Sequence, residues 1–169
     1  MSNVVVLSGN PRRASRTAAF ATALAERLTG RTPRVIELAD VIAVSFDAEP
    51  ARAAAPQPDA WDAAAAADLL VVATPSYKGT YTGLLKLFFD HYPTGALAGV
   101  RAVPVAVAGS PDHAGATAAD LQRLLRELGA VTREAVTVLE SQLAEPDALL
   151  DRHAARLASE LAHPVPTDR

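Results

Sequence analysis

The chain has 169 residues, 50% of them hydrophobic, and a formal net charge of -3. That length suits one domain with a substantial core, the apolar content excludes disorder, and no apolar run is long enough to span a bilayer. The mild negative charge offers no broad basic field to nucleic acid or anionic lipid, and the lack of cysteine excludes disulfides, thiolate catalysis and cysteine-held metal or iron–sulfur centres.

Val4 to Leu7 is a short apolar run that reads as a strand buried on both faces. A helix follows from Ser15, with Phe20, Leu24 and Leu28 at helical spacing and Gly30 as its stop. Val35 to Leu38 is the second strand. Ala39 to Gln57, with Pro50 and Pro56, reads as a loop with fragments of helix. Ala60 to Asp68 is an alanine-rich helix carrying Trp61, and Leu69 to Ala73 is the third strand, stopped by Pro75. Leu84 to Tyr92 is helical and closed by Pro93. Ala102 to Ala108 is the fourth strand, where Pro104 argues for a bent start or an exposed amide position. Leu121, Leu124, Leu125 and Leu128 mark an amphipathic helix stopped by Gly129. Val136 to Leu139 is the fifth strand, and Leu150, Ala154, Leu157 and Leu161 mark the last helix.

Strands alternating with helices imply right-handed crossovers and a parallel sheet covered on both faces. The expected fold class is α/β: a flavodoxin-like three-layer sandwich with a five-stranded parallel sheet of order 2-1-3-4-5. Residues 1-162 are expected to form a single domain, and 163-169 a frayed tail. The opening Met1-Ser2-Asn3-Val4 runs into a strand without a basic segment or cleavage signal, so a cytoplasmic address is expected.

Ligands in such sheets sit beyond the carboxyl ends of the strands, which selects the segments after the first, third and fourth strands. The first is Ser8-Gly9-Asn10-Pro11-Arg12-Arg13-Ala14-Ser15-Arg16-Thr17. It enters a helix N-terminus, which carries roughly half a positive charge and free N–H donors, and adds hydroxyls and arginines to them. That combination suits a phosphate monoester; the plainer alternative is a Ser15 cap beside solvated arginines. Both G-x-G-x-x-G and G-x-x-x-x-G-K-[ST] are absent. The second is Thr74-Pro75-Ser76-Tyr77-Lys78-Gly79-Thr80-Tyr81, in which aromatic rings and free amides suit a flat heterocycle, or else form a turn with two partly exposed tyrosines. The third is Ala108-Gly109-Ser110-Pro111-Asp112-His113-Ala114-Gly115, where glycine allows close backbone approach. No histidine has metal-like spacing, and a lone His113 is not assigned as a base.

At these loops the sequence resembles the NAD(P)H-dependent FMN reductase family, including the small reductases that supply reduced flavin to two-component monooxygenases. The family's first motif, roughly G-S-x-R-x-x-S-x-[TN], stands here as Gly9-Asn10-Pro11-Arg12-Arg13-Ala14-Ser15-Arg16-Thr17, with Asn10 in place of serine. The second, T-P-x-Y followed by a helix with L-K-x-x-x-D, stands as Thr74-Pro75-Ser76-Tyr77, then Leu85-Lys86 and Asp90. A glycine pair after the fourth strand is present only as Gly109-Ser110.

The resemblance implies that Asn10, Arg12, Ser15 and Thr17 hold the FMN phosphate, with Arg16 beside them. It also implies that Pro75, Ser76, Tyr77, Lys78 and Gly79 line the isoalloxazine, with Gly109 and Ser110 on its other side. NADPH or NADH would be the hydride donor, and no residue is assigned a catalytic role because the cofactors carry the chemistry. The other readings are a quinone, azo or chromate reductase with bound FMN, and a flavodoxin-type electron carrier without NAD(P)H turnover. A homodimer or homotetramer is expected, and a flavin-dependent monooxygenase is a candidate partner.

Overall fold

The run Val4–Ser8 forms the first strand, β1, and every residue of it is buried. A strand with no polar face belongs inside a sheet covered on both sides. The computed structural model describes residues 3–42, 44–45, 52–53 and 58–162. In chain order the elements are β1, α1 (Arg16–Thr29), β2 (Arg34–Glu37), α2 (Leu38–Val41), β3 (Val44–Ser45), β4 (Arg52–Ala53), α3 (Pro58–Ala65) and β5 (Leu69–Pro75). Then come α4 (Gly83–Phe89), β6 (Arg101–Ala108), α5 (Pro111–Glu127), β7 (Val131–Thr132), β8 (Val136–Leu139), a 3-10 turn at Glu140–Ala144, and α6 (Asp147–Ala162).

The main sheet is parallel in every pairing, and its order is β2-β1-β5-β6 followed by a fifth position that β7 and β8 share. This is the expected 2-1-3-4-5 arrangement. β7 pairs with Arg101 and Ala102, β8 pairs with Val105 to Ala108, and the segment Arg133 to Ala135 between them leaves the ladder. The gap lies opposite Val103 and Pro104, where a proline has no amide to offer. Pro104 is thus not at a bent start: it is buried mid-strand, beside Val72 of β5 and opposite the segment that leaves the ladder.

Successive strand residues point to opposite faces, and each face has its own helices. Val4, Val6, Leu69, Val71, Val103 and Val105 pack with Phe20 and Leu24 of α1 and Leu150 and Leu157 of α6. Val5, Leu7, Leu70, Val72 and Ala102 pack with Ala60 and Ala64 of α3, Leu85 and Phe88 of α4, and Leu121 and Leu125 of α5. Capping follows the sequence: the Ser15 hydroxyl accepts from Ala18 N–H at the start of α1, and Gly30 ends it at φ +65° with its N–H donated to Glu26.

Some boundaries shift. β5 runs two residues past Ala73 and ends at Pro75, which is paired with Val107. Helix α4 ends at Phe89, with Asp90 as its cap. The L-K-x-x-x-D pattern becomes an exposed ion pair between Lys86 and Asp90, and that hydrogen bond holds the Lys86 ammonium above the ordinary lysine value. Within Ala39 to Gln57 the helical fragment is α2, and β3 and β4 pair antiparallel. Pro50, Pro56 and the tail expected from His163 lie outside the described residues. Among the described residues no helix is long and apolar enough to cross a membrane.

His153 on α6 is partly buried, and its Nδ1 is buried with no hydrogen-bond partner among the described residues. Burial, with Arg156 and Arg152 nearby, pushes its pKa below the ordinary 6.5 against the opposing pull of Glu134. The unfolded chain therefore takes up this proton first as pH falls, so the stability from neutral His153 is complete above about 6.5 and is lost through the lower folded value. Urea midpoints of the wild type should fall between pH 7.5 and 5.5, and His153→Gln should reduce that fall. An identical fall in both proteins would exclude His153 as a source.

Candidate functional site

The strands of a parallel sheet end on one edge, and here a cleft of about 420 Å³ opens on that edge. Its position, beyond β1 and β5, is the point where the chain order of the sheet reverses. The loop from Asn10 to Thr17 forms one wall. Pro75, Tyr77 and Val107 form another, and Glu140 and Leu143 of the 3-10 turn close the third.

The first loop is built to present donors. Asn10 is buried; its Oδ1 accepts from Arg12 N–H at 2.9 Å and its Nδ2 donates to Thr17 Oγ1 at 3.2 Å. This fold-back turns the chain into α1. Ala14 takes φ +48°, an uncommon conformation for alanine, and its N–H is held by Glu37 Oε1 at 3.2 Å. Ser15 and Thr17 are buried, and each hydroxyl oxygen already accepts a bond from the protein, which leaves both O–H groups to donate elsewhere. The amides of Ser15, Arg16 and Thr17 have no protein partner among the described residues, as the first turn of a helix requires. Arg13 is drawn to Asp40 at 2.6 Å. Arg12 and Arg16 are exposed and pair with no carboxylate among the described residues. Two hydroxyls, three amides and two unpaired guanidinium groups make a donor set for a compact anion.

Gly9 fixes where this loop begins. Its N–H donates to Ala73 at 2.8 Å, and its carbonyl accepts from Thr82 Oγ1 at 2.6 Å. A Cβ on Gly9 would lie 2.9 Å from Leu85 Cβ, so α4 can approach β1 this closely only at a glycine.

In the second loop, Tyr77 and Thr80 exchange backbone bonds across Lys78 and Gly79, which take φ +56° and +85°. Two consecutive positive φ values define a type I′ turn, unusual with lysine in the first central place. Tyr77 is 44% exposed and turns one side to the cleft. Of the ring-binding residues expected from the sequence, Pro75 and Tyr77 line the main cleft; Ser76, Lys78 and Gly79 stand on the adjoining turn. Gly109 and Ser110 lie beyond its lining, on the next loop along the same edge, where Ser110 caps α5. A Cβ at Gly79, Gly109 or Gly115 would meet nothing within 4 Å.

All of the expected phosphate-side residues, Asn10, Arg12, Ser15, Arg16 and Thr17, come together in this cleft. Glu140 and Leu143 were missed. The signal was available, because the segment after the fifth strand ends on the same sheet edge as the three segments chosen.

A family model described as NADPH-dependent FMN reductase matches residues 2–145. The FMN reductase (NADPH) of Pseudomonas aeruginosa is 41% identical over 116 residues, covering 66% of this chain and 62% of that protein. The NADH-dependent FMN reductase SfnE of Pseudomonas putida is 33% identical over 177 residues, covering 96% of this chain and 91% of that one. The chain thus spans about 62% of the length of the first curated relatives it matches. Among solved structures, an NADH:FMN oxidoreductase (EMOB) in its apo form superimposes with TM-score 0.78 and 32% identity, over 100% of this chain and 94% of that one.

Because Gly9 is packed against the start of α4, Gly9→Ala should destabilise the fold by about 1–3 kcal/mol, as overpacking does. Chemical denaturation of the ligand-free chain measures this. Unchanged stability would mean that the approach is looser than described.

Proposed function

We propose, for a chain that belongs to the NADPH-dependent FMN reductase family, that the cleft binds FMN and that NADPH or NADH serves as hydride donor. The observation that carries this reading is the donor set at the start of α1, which fits a phosphate monoester: both hydroxyls keep a proton to donate, and Arg12 and Arg16 pair with no carboxylate among the described residues. Asn10 shapes the loop, Ser15 and Thr17 donate through their hydroxyls, and the amides of residues 15–17 complete the cradle. Arg12 and Arg16 supply counter-charge. Pro75, Ser76, Tyr77, Lys78 and Gly79 border the ring on one side, with Gly109 and Ser110 on the other. When bound, FMN would supply the redox chemistry, that of a hydride acceptor for reduced nicotinamide. The protein's part is to hold the ring open to a second flat molecule, and the empty space beside Gly79, Gly109 and Gly115 supports that role.

The same reading includes delivery of reduced flavin to an acceptor such as a flavin-dependent monooxygenase. It also includes self-association through α4: Leu85, Phe88 and Phe89 are spent on the core, while Leu84 and Leu87 are only partly covered by this chain.

Two experiments test the proposal. Arg12→Ala or Ser15→Ala removes a charge-assisted hydrogen bond worth ~1.5–3 kcal/mol, so FMN should bind roughly ten- to a hundredfold more weakly. Riboflavin, which has no phosphate, should be indifferent to both changes. Titration by flavin fluorescence decides this, and equal FMN affinity in all three proteins would refute the phosphate site. In anaerobic stopped flow, NADPH or NADH should bleach the bound flavin, and Gly109→Val should slow that step more than it weakens FMN. Failure of both donors with the wild type would favour an electron carrier instead.

A further inference from the structure

We propose that Thr117 and Asp120, on α5, are positioning residues that clamp both ends of the Ser76–Thr80 turn and set recognition of the flavin ring independently of the phosphate. The inference rests on the flavin reading above for its ligand, but the clamp itself is visible without one.

Thr117 is fully buried, and its hydroxyl donates to Ser76 Oγ at 2.8 Å. Asp120 Oδ2 accepts from Thr80 Oγ1, also at 2.8 Å. The two helix residues are three apart and so share a face, one turn above the other. Their partners, Ser76 and Thr80, stand immediately before and at the end of the turn that holds Lys78 and Gly79.

The turn needs outside support. Lysine at φ +56° is disfavoured in a free loop, and of the two backbone bonds that close the turn, one is long: Tyr77 N–H to Thr80 O is 2.9 Å, and Thr80 N–H to Tyr77 O is 3.4 Å. The side-chain bonds from α5 provide that support, because α5 is a helix of 17 residues packed on the sheet through Leu121 and Leu125. The same helix begins at the Gly109–Ser110 loop, where Ser110 caps it. One rigid element thus fixes the relative position of the two loops that would border the ring. Neither Thr117 nor Asp120 lines the main cleft, and the Thr117 side chain is fully buried behind the turn.

The test uses the full chain and four substitutions. Thr117→Val removes the bond to Ser76, and Asp120→Ala removes the bond to Thr80 together with an exposed ion pair to Arg123, while Thr117→Ser and Asp120→Asn keep the two clamping bonds. In the flavin-free protein, amide hydrogen exchange at Tyr77 and Thr80 should speed up roughly two- to tenfold in the first pair and return to wild type in the second. Amides of β5 and β6 should not change. Affinity for FMN and for riboflavin should then fall by the same factor in the first pair, in contrast to Arg12→Ala, which weakens FMN alone. Unchanged exchange at both amides would overturn the clamp, as would losses that the conservative variants fail to restore or that spread through the sheet. A loss confined to FMN would overturn the claim about the ring. If the wild type bound neither flavin, the ligand reading would fall, and the exchange result would still decide the clamp.

Discussion

Thr82 is 2% exposed, and its hydroxyl has two partners: it donates to the carbonyl of Gly9 and accepts the N–H of Leu85. The first bond joins the exit of β1 to the segment after β5; the second caps α4. Its own N–H is held by the buried Thr74 hydroxyl at 3.2 Å. Two loops that are remote in sequence are therefore held by one buried hydroxyl at the spot where Gly9 lets α4 come close. This contact ties the start of the Asn10 to Thr17 wall to the segment that leads from the Tyr77 wall into α4. A buried hydroxyl with both roles satisfied is stable; with one partner removed it would leave an unpaired polar group in the core.

The sheet and its order were legible because the signals were redundant. Val4 to Leu7 and Leu69 to Ala73 are short continuous apolar runs with no solvent face, a pattern that suits a doubly covered strand. Ser15 and Gly30 marked the ends of α1 through chemistry local to each position, which a sequence displays directly. The first half of the site was legible for the same reason: its donors lie within eight consecutive residues, Asn10 to Thr17.

What was not legible depends on partners far along the chain. The setting of Pro104 depends on the neighbouring strand, which parts into β7 and β8 opposite it. Pro75 ends β5 as expected, but as its last paired residue, because Val107 lies alongside it. The bonds from Thr117 and Asp120 to Ser76 and Thr80 span 41 and 40 residues, and nothing in local spacing marks those residues as partners. Glu140 and Leu143 reach the cleft only through the turn that follows β8.

The gap at Arg133 to Ala135 also affects how copies of this chain can meet. An outermost strand exposes a row of unpaired amides and carbonyls, a template on which another chain can add and a route to open-ended stacking. Here that border is cut into segments of two and four residues, separated by Arg133 to Ala135, so no long unbroken run is offered. Growth of the sheet across this side is disfavoured by the geometry of the backbone itself.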